Sequence, residues 1–158
     1  PFPGVTTLDV YQFDKTEAVS QALGRRPDLI ILKECAAYFP LDDPEGSRKL
    51  VAGWVEQVRA AGVKVALATV VPVTEAHARR APGRAEGLRE FNRWVREYAS
   101  QERIPLLDLE AALRRSAEDR HLDDALHSGD GLHLSRRTYR EHLDSLLPPL
   151  LLRTFCGE

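Results

Sequence analysis

Asp130 stands three residues before His133 in Asp130-Gly131-Leu132-His133-Leu134-Ser135, a spacing that lets a carboxylate orient an imidazole for proton transfer. The ionised carboxylate fixes which ring nitrogen carries the proton and stabilises the imidazolium formed when the ring takes up another. Spacing alone does not single out this pair, because Asp124-Ala125-Leu126-His127 repeats it nearby. The surroundings separate the two. Asp130 lies between Gly129 and Gly131, a turn composition, and an amphipathic stretch to Leu152 follows. Asp124 sits among Leu122, Asp123 and Ala125 and reads as a short helical turn. A second chemistry is open in the same segment: His127, Asp130 and His133 together offer two imidazoles and a carboxylate, a donor set acceptable to zinc or iron.

The elements that must hold these residues follow from hydrophobic period. Leu29 to Leu32 is a continuous apolar run behind Arg26-Pro27-Asp28 and predicts a strand buried on both faces. Val63 to Val71 and Ile104 to Leu109 predict two more, and Thr6 to Phe13 alternates as a fourth. Leu50, Val51, Trp54, Val55 and Val58 recur at helical spacing, with Gly62 placed as a C-terminal cap. Leu88, Phe91, Trp94, Val95 and Tyr98 mark the next helix. Tyr139, Leu143, Leu146, Leu147 and Leu150 mark the last, which Pro148 and Pro149 are expected to weaken or end.

Alternating strand and helix argue for right-handed βαβ units in a three-layer α/β domain. Ligands of such sheets sit beyond the carboxyl ends of the strands, so the loops at 33–40, 72–84 and 108–133 matter most.

Composition bounds the rest. The 158 residues fit one domain with a full core, and no apolar run is long enough to span a membrane. A formal charge of -2 and a pI near 6.3 give no overall attraction to nucleic acid. Arg79, Arg80 and Arg84 read as a solvated loop, and His77, His121 and His142 as histidines without special role. Cys35 and Cys156 are too few for a disulfide framework, and they leave the compartment open. The chain has no methionine and opens at Pro1, so its translated start is expected upstream.

On these residues the chain resembles the SGNH or GDSL-type esterases and lipases. Asp130 to Ser135 carries the resemblance, with Tyr139 and Leu146-Leu147-Pro148 after it. Pro27 to Leu32 looks like the family's central strand, and Phe91-Asn92-Arg93-Trp94-Val95 precedes Pro105-Leu106-Leu107-Asp108. The resemblance implies an α/β three-layer sandwich with a parallel sheet, flavodoxin-like, formed by residues 1–158 as a single domain that lacks its interior first strand. It implies hydrolysis of a carboxylic ester, with an acetyl group on a carbohydrate as one candidate, through a covalent acyl-enzyme and with no cofactor. His133 would be the general base and Asp130 its orienter.

Two departures accompany the likeness. No Gly-Asp-Ser segment is present, and Ser20, Ser47, Ser100 and Ser116 fall in or beside helical patterns while Ser128 and Ser135 flank the base, so the nucleophile is expected upstream of Pro1. The family's oxyanion-donating asparagine is matched by Cys35-Ala36-Ala37, with Gly4 a loose match for its glycine donor. Glu34, Cys35 and Ala37 are therefore the substrate-loop residues, with Glu34 read as an ion pair beside Lys33 and Cys35 as a conceivable thiolate. The expected partner is a small-molecule or carbohydrate ester, with no nucleic acid and no membrane span. Ala37 and the missing serine favour a second reading, a non-catalytic binding module. A metal-dependent hydrolase using His127, Asp130 and His133 is the third.

Overall fold

The computed structural model describes residues 12–156. Among them, β1 (Leu29–Leu32), β2 (Lys64–Ala68) and β3 (Leu106–Leu107) form a parallel sheet in the order β1-β2-β3. Leu29 pairs with Lys64 and Leu32 with Leu67 in one ladder, and Leu67 pairs with Leu106 in the other. Helices α1 (Thr16–Gly24), α2 (Pro44–Ala60), α3 (Glu75–Arg80), α4 (Arg84–Gln101), α5 (Leu109–Leu113), α6 (Arg136–Thr138) and α7 (Asp144–Cys156) complete the elements, with a 3₁₀ turn at Ala36–Tyr38. Asp43 starts α2 by accepting the Gly46 N–H at 2.9 Å, and Gly62, at φ 73°, ends its last turn.

Period-two alternation in β2 divides the core. Val65 and Leu67 face Val51, Trp54, Val55 and Val58 of α2 and Phe91 and Val95 of α4, while Ala66 and Ala68 face Leu113 of α5, Leu122 and Leu150 of α7. Helices therefore cover both faces, giving the expected three layers. None of the described helices is long and apolar enough to cross a membrane.

Several elements differ from the sequence expectation. Strand β2 ends at Ala68, although the apolar run continues and residues 69–74 are all buried. The backbone there is satisfied by other means. Asn92, itself buried, accepts the Val70 N–H at 2.7 Å and donates to the Val70 carbonyl at 2.9 Å, imitating a ladder partner with one side chain. The third strand is short because Asp108 leaves it to cap α5, accepting the Ala111 N–H. Helix α1 was not foreseen. The expected strand at Thr6 to Phe13 lies, except for its last two positions, outside the described residues, as does Gly4.

Pro148 and Pro149 do not end the last helix, which runs on to Cys156. A π-helical turn, Tyr139–Leu143, sits directly before it, with the Asp144 N–H reaching Tyr139 O. The prolines remove two donors, at about 3 kcal/mol for each in a helix interior. Burial of leucines at about 1.5–3 kcal/mol each offsets that cost; Leu150 is fully buried and Leu146 and Leu147 pack on the same core.

An ion pair anchors the start of the described chain. Lys15 Nζ lies 2.5 Å from Glu34 Oε2, donates to the carbonyls of Gln12 and Phe13, and stands over the rings of Phe13, Tyr38 and Trp54 at 5.0–5.8 Å. Glu34 thus pairs with Lys15, a partner 19 residues away, while the Lys33 ammonium bonds the Glu34 carbonyl. Burial disfavours the Glu34 carboxylate more than Lys15 supports it, so its pKa is pushed up to about 7.

Two expectations follow. Replacing Asn92 with Leu strands the buried N–H and C=O of Val70, which should cost about 2–5 kcal/mol in chemical denaturation; a loss below about 1 kcal/mol would mean that the segment finds other partners. For Glu34, a carboxyl whose folded pKa is raised contributes stability that is complete below its ordinary value near 4.5 and lost as pH rises through about 7. The stability of the wild type relative to Glu34→Gln should therefore fall by up to about 3 kcal/mol between pH 4.5 and 7.5. A difference independent of pH would show an ordinary carboxyl.

Candidate active site

The segment from His127 to Ser135 folds back on itself. Ser128 N–H donates to His133 O at 2.8 Å, Ser135 N–H to Leu126 O at 2.9 Å, and His127 bridges Leu134 in antiparallel fashion. Gly129 and Gly131, at φ 113° and 78°, take backbone conformations that side chains resist. Inside this turn Asp130 Oδ1 accepts the N–H groups of Leu132 and His133, both at 2.9 Å. Its Oδ2 accepts from His133 Nδ1 at 2.5 Å.

That geometry places the ring's first proton. A carboxylate only accepts, so Nδ1 carries a proton, and in the neutral ring it is Nε2 that holds the lone pair. The His133 side chain is 66% exposed, and no protein hydrogen bond holds Nε2 among the described residues. Partial burial pushes the Asp130 carboxyl up, but the bonds from His133 and from the Leu132 and His133 N–H groups outweigh it and hold the group well below the usual carboxylate range. The aspartate is thus ionised at neutral pH and the imidazole is aimed outward, the arrangement a general base needs.

The neighbouring Asp124/His127 repeat spends its parts differently. Asp124 accepts from Arg115 at 2.6 Å, and His127 Nδ1 accepts the N–H groups of Gly129 and Gly131 at 2.8 and 3.0 Å. That nitrogen is committed to the turn, and no group of three His, Cys, Asp or Glu side chains converges on a metal position among the described residues. The three-ligand arrangement of His127, Asp130 and His133 does not form.

The turn is held to the sheet by the loop after β2. Thr74 donates its N–H to Gly131 O at 3.0 Å, and its hydroxyl caps α3 by accepting the His77 N–H. A Cβ at Gly131 would stand 2.5 Å from Thr74 Oγ1, so glycine is needed there for contact as well as conformation. His77, read from the sequence as without special role, lies against the motif, its Nδ1 at 3.1 Å from Asp130 O. Arg84, read as part of a solvated loop, bonds His77 Nε2 at 2.5 Å and Phe39 O at 2.8 Å, with Ala37 O at 3.5 Å.

The substrate-loop residues divide accordingly. Glu34 turns into the Lys15 cage. Cys35 is a half-buried free thiol with no hydrogen bond to His133. Ala37 is exposed, and its carbonyl joins the Arg84 and His77 chain that ends at Asp130. Phe39 is core, packed on Phe91 at 5.3 Å between ring centres. Asp108 opens the third loop but is structural: Arg96 grips it through two bonds of 2.8 Å, and Thr69 donates to it at 3.1 Å. No serine hydroxyl lies within hydrogen-bond reach of His133 among the described residues; Ser135 instead caps α6 by accepting the Thr138 N–H.

Solved structures share this fold. A GDSL-like lipase from Bacteroides thetaiotaomicron VPI-5482 superposes with a TM-score of 0.71 at 16% identity, over 85% of this chain and 66% of its own. The lipase/acylhydrolase from Enterococcus faecalis gives 0.63 at 22% identity, over 85% of this chain and 64% of that one. A catalytic mutant of an acetylxylan esterase from Geobacillus stearothermophilus, with a serine changed to alanine, gives 0.64 at 13% identity, over 91% and 67%. The chain thus spans about two thirds of the length of the structures it resembles. Comparison with curated protein sequences gives no match. At these identities the likeness establishes the fold, a three-layer α/β arrangement shared with GDSL lipases and esterases. The sequence itself, over residues 2–141, matches the family model of GDSL-like lipases and acylhydrolases, and the chain belongs to that family.

Proposed function

We propose that the protein hydrolyses carboxylic esters through a covalent acyl-enzyme, with His133 as general base, Asp130 as its orienter and a serine contributed from upstream of Pro1. The observation that carries this reading is the 2.5 Å bond from His133 Nδ1 to Asp130 Oδ2, which leaves Nε2 bare and exposed. In the first step Nε2 takes the serine proton as the oxygen attacks the ester carbonyl, and the imidazolium then returns that proton to the departing alcohol. Water, deprotonated by the same nitrogen, releases the acid. Asp130 stays ionised throughout, which its depressed pKa favours.

An acetyl ester on a carbohydrate is the proposed substrate class, supported by the fold shared with the acetylxylan esterase. Ala37 brings no side-chain donor to the oxyanion, so backbone N–H groups or another residue would serve it. That same alanine is what favours the second reading, a binding module that keeps the fold without the reaction.

Full-length protein is assayed with p-nitrophenyl acetate beside His133→Ala and Asp130→Asn, each checked for folding by circular dichroism. Both variants should lose about 10²-fold or more in kcat, Asp130→Asn through loss of ring orientation. Equal rates in all three proteins would remove His133 and Asp130 from the chemistry and leave the binding module.

A further inference from the structure

Three loops distant in sequence meet through two side chains that the reaction itself does not consume. Arg84, the first residue of α4, reaches back 45 residues to the strap at Ala37–Phe39, where its Nε donates to Phe39 O at 2.8 Å and an Nη to Ala37 O at 3.5 Å. Its other Nη donates to His77 Nε2 at 2.5 Å, and His77 Nδ1 donates to the carbonyl of Asp130 at 3.1 Å, 53 residues further on. Donor chemistry fixes the tautomer: a carbonyl can only accept and a guanidinium can only donate, so His77 carries its proton on Nδ1. The ring is therefore neutral and serves as donor on one side and acceptor on the other. Gly83 and Gly87 leave room for Pro40 and Phe39 against the start of α4.

We propose that Arg84 and His77 are positioning residues, a strut that sets the strap bearing Ala37 at a fixed distance from the turn bearing Asp130 and His133. The assignment rests on the ester-hydrolase reading and adds two residues to it. Its physical content lies in the peptide planes. In a trans peptide the N–H points opposite to the C=O, so holding the Ala37 carbonyl toward Arg84 turns the Tyr38 N–H away, toward Cys35 O, where it bonds at 3.3 Å. The grip thus fixes the peptide plane that follows Ala37, and with it the main chain of a strap in which Ala37 has no side-chain donor to offer. At its other end the strut holds the backbone of Asp130, whose carboxylate holds His133.

The test compares full-length wild type with Arg84→Met, His77→Leu and His77→Gln. Leucine removes both hydrogen-bonding functions, whereas the glutamine amide keeps a donor and an acceptor. Two signals are read: kcat and KM on p-nitrophenyl acetate, and the low-field proton resonance of the His133 to Asp130 bond. His77→Leu and Arg84→Met should lower kcat about 10- to 100-fold with KM within about twofold, as a small misplacement of reacting groups does. The resonance should broaden or vanish in both. His77→Gln should recover most of the rate and the resonance.

Wild-type kcat and an unchanged resonance in His77→Leu would overturn the proposal, and so would equal losses in His77→Gln and His77→Leu. Should Arg84→Met fail to fold, the His77 pair decides alone. If the wild type hydrolyses no ester, the ester-hydrolase reading falls, and the resonance still decides the strut: retained in glutamine and lost in leucine supports it, unchanged in both overturns it.

Discussion

Residues 69–74 leave the end of β2 and cross the interior without reaching water, so each of their backbone polar groups needs a partner from the protein. An unmet group there costs about 1–3 kcal/mol, enough to decide which neighbours the segment accepts. The partners come from four directions. Leu107 O in β3 accepts from Thr69, Asn92 on α4 serves both polar groups of Val70, Leu122 donates to Val73 O, and Gly131 O accepts from Thr74. The last bond is the one that seats the Asp130 turn. A requirement imposed by burial alone thereby fixes where the Asp130 and His133 pair stands.

Charge is handled by the same economy one layer away. Glu110 is buried, yet it lies between Arg96 at 2.7 Å and Arg120 at 2.8 Å, and Arg96 also grips Asp108. A buried carboxylate with one partner removed is strongly unfavourable, so this cluster holds α4, α5 and the loop to Arg120 in one arrangement more than it adds net stability. The hydrogen bonds that Arg96 donates to Asp108 raise its pKa further above the usual value. Asp108, at the opening of the third loop, is thus occupied in holding α4 and α5 together.

Much of this was legible in the chain, and the reasons for success are as local as the reasons for failure. Strand β1, helices α2 and α4 and the Gly62 cap follow from period and composition, both properties of neighbouring residues. So does the geometric contrast between the two repeats: the flanking glycines mark a turn in which Asp130 reaches the His133 ring, while the other repeat gives its aspartate to Arg115 and its histidine to the backbone. What escaped were partnerships across the fold. Lys15 with Glu34, Asn92 with Val70 and Arg84 with His77 and Phe39 leave no periodic trace, because each depends on which loops the sheet happens to bring together. The overrun of the second strand has the same origin, since an apolar run cannot announce that a side chain will stand in for a neighbouring strand.

The strap at Ala36–Tyr38 is gripped by its main chain, at the oxygens of Ala37 and Phe39, and not by the side chain that it presents outward. Exposed Ala37 can change in size or polarity while its carbonyl stays in place. Drift at this one position can then change the face that the strap presents to solvent without dismantling the support beneath it, so a single codon is enough to vary that face.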